Sequence, residues 1–194
     1  MIKESINIKD LINIGVFTAV YIVLYFLVGM TGFIPIFMVI LPGLIGLVGA
    51  IPIFLLITKV EKYGALTILS IILSILFAIT GDPWFGAIIM IFFGILADLI
   101  MKIGKYKKWP YLLIGYIVFS FWPLGGLSPF YFARESYLNS LKDGYGNEYV
   151  QAIDRIFTFQ AVPIIIIFGI IGSIIGAYVA KSAMSKHFKQ SGVI

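Results

Sequence analysis

The chain contains no cysteine and a single histidine. Disulfide frameworks and thiolate metal or redox sites are therefore excluded. The one histidine, His187 in the polar C-terminal tail, argues against a His-built zinc or haem centre. Charge is scarce as well, at 12% of residues against 61% hydrophobic. That balance lies far outside the range of soluble domains. No paired-carboxylate motif, no nucleophile beside a histidine and no phosphate-cradling Gly-Lys loop is present. No catalytic residue, no metal and no cofactor is therefore expected. Nor is there an ATP-hydrolysing segment, so active transport would need a partner that supplies energy.

What the chain does have is a series of apolar runs, several longer than ~18 residues. These imply an all-α integral membrane bundle forming one domain over 1–194. A hydrocarbon core of ~30 Å takes about 20 helical residues. The runs give six transmembrane spans, over 8–30, 34–58, 63–80, 84–103, 109–127 and 156–180. The first is too long for a signal peptide and lacks a small-residue cleavage site, so it reads as a retained helix. The second holds Pro42-Gly43, Gly49 and Pro52. Cut in two, each piece would be too short to cross, which favours one long, kinked helix.

The net charge of +5 follows from where the lysines stand, not from nucleic-acid binding. On the six-span topology Lys3, Lys9, Lys59, Lys62, Lys102, Lys105, Lys107, Lys108, Lys181, Lys186 and Lys189 share one side. Only Arg134, Lys142 and Arg155 lie on the other. The positive-inside rule then puts both termini in the cytoplasm of a multi-pass cell-membrane protein, and the lysines beside the bilayer attract anionic lipid. The opposite side carries Asp82, Glu135, Asp143, Glu148 and Asp154, and the one long connection, about Ser128 to Arg155.

That connection predicts a short helical cap between the fifth and sixth helices. Ser128-Pro129 is a helix start, and Phe130, Ala133, Tyr137 and Leu141 recur at three- and four-residue steps. "KDGYGN" is a turn, and Asn147 can cap a second helix. In the last span Gly172, Gly176 and Ala180 form a smooth face for close helix packing, by default within the protein. Gly15 and Ala19 form a shorter smooth patch on the first span. Within the fourth span Asp98 and Lys102 are spaced for an i,i+4 pair snorkelling to the lysine-rich side.

"TGDPWFG", Thr80 to Gly86, joins the third and fourth spans. Gly81 ends one helix and Pro83 begins the next. Together with "ADLI" and the N-terminal "KDLINIGVFTAVYIVLYFLVGMTGFIPIFMVILPGLIGLVGAIPIFLLITKVEKYGALTI", its "GDPW" carries a resemblance. The chain resembles the substrate-binding S components of energy-coupling factor (ECF) transporters, and within them the MptD-type, or Trep–Strep, group. The resemblance implies a subunit that binds a vitamin or related micronutrient on the outer side. It implies docking on a transmembrane coupling protein driven by two ATPase subunits. The family's first-helix docking motif is Ala-xxx-Ala; Gly15 and Ala19 stand at the matching positions, and glycine keeps the face small. The family's ligand lies between the outer loops and the outer halves of the later helices. This implies ligand contacts from Asp82, Trp84, Phe119, Trp122, Tyr131, Phe159 and Gln160, with Arg134, Glu135 and Asn139 closing over them. The alternative is a stand-alone secondary transporter or membrane enzyme, for which neither midplane ionisable groups nor convergent catalytic groups are visible. A structural subunit of another complex is a third possibility. The ligand itself is not named by the sequence; the acidic face leans toward a neutral or cationic molecule, while Arg134 and Arg155 keep an anion possible.

Overall fold

The computed structural model describes residues 5–185; Lys3, Lys186, Lys189 and His187 lie outside them. Within this range all regular structure is helical: α1 Ile8–Gly29, followed by a 3-10 turn over Met30–Phe33, α2 Phe37–Val48, α3 Ala50–Val60, α4 Ala65–Ile79, α5 Trp84–Ile103, α6 Trp109–Phe119, α7 Leu124–Leu127, α8 Pro129–Phe132, α9 Arg134–Tyr145, α10 Asn147–Ile156 and α11 Ala161–Ala183. Five rods are long and apolar enough to cross a membrane: Ile8–Phe33, Phe37–Val60, Trp84–Ile103, Trp109–Leu127 and Ala161–Ala183. The sixth apolar helix, α4, is shorter. This is a multi-pass, all-α membrane bundle.

Most span limits agree with the sequence to within a few residues. The second is one rod of two helices, α2 and α3, meeting at Gly49. Pro52 has no N–H to bond the carbonyl one turn back, so the ladder breaks there. The last span starts at Ala161, not Ile156, because 147–156 is a separate helix ending in a turn at Phe157.

The bundle is tightest between α2 and α11. A Cβ on Gly172 would stand 2.0 Å from the Gly43 carbonyl oxygen, and one on Gly176 would stand 2.5 Å from that of Gly46. The two backbones touch, which only small residues allow. The smooth face of the last span is thus used inside the chain.

At the lysine-rich end, Asp98 is fully buried but is not paired with Lys102. Its Oδ2 accepts from the Gly64 N–H (3.1 Å), the Thr67 N–H (2.8 Å) and the Thr67 hydroxyl (2.8 Å). It therefore caps the start of α4, where free N–H groups and the helix dipole favour an anion. Lys102 lies over the Tyr63 ring instead. The i,i+4 spacing brings the two side chains to one face, but the neighbouring helix start offers Asp98 several donors at once. Nearby, Lys62 pairs with Asp10 and donates to the Ser5 carbonyl, tying the start of α1 to the 61–64 connection.

Candidate functional site

The "TGDPWFG" turn is built to aim one side chain. The Gly81 N–H bonds the Ala78 carbonyl and the Asp82 N–H bonds that of Phe77. These two bonds make a Schellman stop, which needs a left-handed residue at Gly81, where φ is +104°. Pro83 then caps α5, whose first residue is Trp84. The chain reverses within three residues, and the Asp82 carboxylate turns inward beneath the cap.

The cap consists of α8, α9 and α10. The predicted stripe is real, but its helix is broken at Ala133 (φ −138°), so the long cap helix starts at Arg134. Asp143 and Gly144 stay helical. The reversal is made by Gly146 alone, with φ +81°, and Asn147 is the first residue of α10 without a capping side-chain bond. The apolar side of the cap stacks Phe130 on Phe157 at 4.4 Å and sets Tyr137 edge-on to Phe130 at 4.9 Å. The Tyr149 hydroxyl donates to the Gly32 carbonyl at 2.7 Å, docking α10 on the first connection.

Beneath it lies a cavity of about 180 Å³. Its walls come from several elements: Tyr25 from α1, Met38 and Leu41 from α2, Phe77 and Thr80 from the end of α4, Pro123 and Gly126 from the fifth span, and Phe130 and Tyr137 from the cap. Among the described residues, Asp82 is the one charged residue in this lining. No hydrogen bond or ion pair to its carboxylate is formed among the described residues. Burial pushes the Asp82 carboxyl up to about 6. Burial also raises the Tyr137 hydroxyl, and the negative charge on Asp82 adds to that shift.

The other expected contacts divide into groups. Trp122 and Phe119 are fully buried, but they stand behind the cavity wall and not on it. The Trp122 indole donates to the Tyr21 hydroxyl at 2.6 Å, and its ring packs on Tyr25 at 5.0 Å and Phe77 at 5.4 Å. It sets the position of two rings that do line the cavity. Tyr131 and Phe159 face a separate apolar groove on the flank, with Phe93, Phe132 and Val162. Trp84 is 73% exposed and Phe159 76%, so both point away from the chamber assigned to them, and Gln160 is exposed too. Apolar rings at helix ends lie as readily against lipid as against a ligand. Glu135 and Asn139 are on the outer surface of the cap, where Asn139 accepts from Lys142 at 2.6 Å.

Arg134 has a structural task. Its Nε donates to Asp154 Oδ1 at 3.0 Å, and its other nitrogens donate to the carbonyls of Phe130, Phe157 and Asp154. One guanidinium thus joins α8, α9 and the end of α10. Its planar fork makes these bonds together, which an ammonium cannot. Arg134→Ala is expected to loosen the cap by about 1–2 kcal/mol, since the ion pair is partly solvated. Limited trypsin digestion should then cut after Lys142 roughly 5–30-fold faster, with Arg134→Lys restoring only part of the protection.

Sequence reasoning missed Tyr25, Phe77, Thr80, Phe130 and Tyr137 as cavity residues. Tyr25 and Phe77 sit within apolar runs, where nothing in the spacing separates a wall from a core. Phe130 and Tyr137 were legible as the cap's apolar stripe, whose inner side faces the cavity.

A sequence profile for hypothetical bacterial integral membrane proteins, Trep_Strep, matches residues 8–190. The chain belongs to the Trep_Strep family. Neither the curated proteins nor the solved structures include a match to it. The match spans both the bundle and the cap, so the residues that line the cavity of this Trep_Strep chain all lie within the matched range.

Proposed function

We propose that this Trep_Strep protein is the substrate-capture subunit, or S component, of an ECF-type importer. The cavity between bundle and cap carries this reading. It is walled by aromatic rings and holds one unpaired carboxylate, the pattern of a small-molecule site: apolar faces for affinity and few polar groups for orientation. Capture occurs on the outer side, and the two termini face the cytoplasm. Delivery follows docking on a coupling protein driven by two ATPase subunits, since no part of the chain has a phosphate-binding loop.

Gly15 and Ala19 are the proposed docking patch. Both are exposed on α1, and a Cβ on Gly15 would meet nothing within 4 Å. Leucines at both positions therefore fit the isolated chain but hold a partner helix away. Gly15→Leu with Ala19→Leu is expected to reduce co-purification with a co-expressed ECF module at least tenfold, with thermal stability unchanged. Wild-type protein that fails to associate with any such module, or proton-coupled uptake by the protein alone in liposomes, would reject the importer reading.

A further inference from the structure

We infer that the cavity beneath the cap selects a small organic cation, with Asp82 as its counter-ion and the rings of Tyr25, Phe77, Phe130 and Tyr137 as its walls. This rests on the reading of the cavity as the capture site and adds the charge class of its occupant.

A half-buried carboxylate is normally held by a salt bridge or by several donors. The two carboxylates that are fully buried among the described residues follow that rule: Asp10 pairs with Lys62, and Asp98 accepts from Gly64 and Thr67. Asp82 does not. The titratable groups that line the cavity with it are Tyr25 on α1 and Tyr137 on α9. The segments of α2, α4, the fifth span and α8 that line it contribute no lysine, arginine, histidine or second carboxylate. Both tyrosines are neutral at physiological pH and bring electron-rich ring faces. Ring faces attract cations, most strongly where water is excluded. An anion would meet Asp82 with no opposing charge. A neutral molecule can donate a hydrogen bond to the carboxylate but brings it no opposing charge. A cation satisfies the carboxylate and the rings together, and its fit beneath the cap removes both from water.

Protonation follows with a definite sign. The folded-state pKa of Asp82 is raised from 3.8 to about 6. The empty protein is therefore favoured by protonation, and the stability this contributes is lost as pH rises from about 4 to about 6. Cation binding has the opposite dependence, because it needs the ionised form. Affinity should fall roughly tenfold between pH 7.5 and pH 5, following the ionised fraction.

The test uses the purified full-length protein in detergent and three probes of one size: benzylammonium, benzyl alcohol and benzoate. Binding is read by saturation-transfer NMR and by thermal shift. Benzylammonium should bind at least tenfold more tightly than either of the others. Asp82→Asn should remove that preference while raising the melting temperature of the empty protein at pH 7.5 and not at pH 4. Tyr137→Leu, which leaves the carboxylate in place, should weaken benzylammonium more than benzyl alcohol. Equal binding of the three probes, binding of none, or full retention of cation affinity in Asp82→Asn overturns the inference. Assembly with an ECF module is scored separately. A complex that forms while the probes show no charge preference rejects the cation and leaves the importer standing. A cation preference without a complex rejects the importer alone.

Discussion

Replacing Gly172 with leucine is expected to abolish recovery of folded protein. A Cβ there would stand 2.0 Å from the Gly43 carbonyl oxygen and 2.6 Å from its Cα. The neighbour is backbone, so no rotamer change relieves the clash, and α2 and α11 would have to separate along their length. Overpacking in a well-fitted interior costs about 1–3 kcal/mol where side chains can shift, and more where they cannot. Even Gly172→Ala should lower the yield of monodisperse protein in fluorescence-detected size-exclusion chromatography. Gly15→Ala is the control: its Cβ meets nothing within 4 Å. Alanine favours helix over glycine by about 1 kcal/mol, so that variant should be neutral or slightly stabilised. If Gly172→Leu elutes and melts like the wild type, the α2–α11 contact is misplaced.

The second large effect falls on Asp98. Asp98→Leu strips three donors of their acceptor: the Gly64 N–H, the Thr67 N–H and the Thr67 hydroxyl. An unsatisfied buried donor costs about 1–3 kcal/mol. A loss of about 3 kcal/mol is expected, or roughly 6–12 °C in melting temperature for a chain of this size. Asp98→Asn keeps one acceptor oxygen and should lose less than half as much. Were Asp98 instead the partner of Lys102, Lys102→Met would destabilise to a similar extent. The geometry predicts a small effect for that substitution, limited to the contact with Tyr63.

These two variants separate what could be read along the chain from what could not. Gly172, Gly176 and Ala180 were visible as a smooth face, because a four-residue repeat of small residues has one meaning on a helix in lipid. That the face meets Gly43 and Gly46 was not visible, since nothing local records which rod lies opposite. Asp98 was visible as a charge in an apolar run. The spacing along the chain points to Lys102 as its partner, while the donors that hold it come from residues 64–67, more than thirty positions earlier.

The site divides in the same way. The turn at Thr80–Gly86 declared itself through Gly81 and Pro83, and its place at the capped end followed from counting spans. Asp82 could therefore be named. The aromatic residues around it could not be sorted, because Trp, Tyr and Phe at a membrane interface have the same composition whether they line a cavity, fill a core or face lipid. Trp122 fills the core, Trp84 is exposed, and Tyr25 and Tyr137 line the cavity.

By itself the sequence determined the class of this protein: a helical membrane bundle with a cap on the acidic side and lysines at the other end. Hydrophobic length and charge position are properties of each segment alone, because the bilayer acts on each segment separately. The tertiary structure decided which small residues touch, which acceptor satisfies the start of α4, and that Asp82 stands unpaired among rings from four different elements. Those are relations between segments distant in sequence, set by how the rods pack, and no local pattern encodes them.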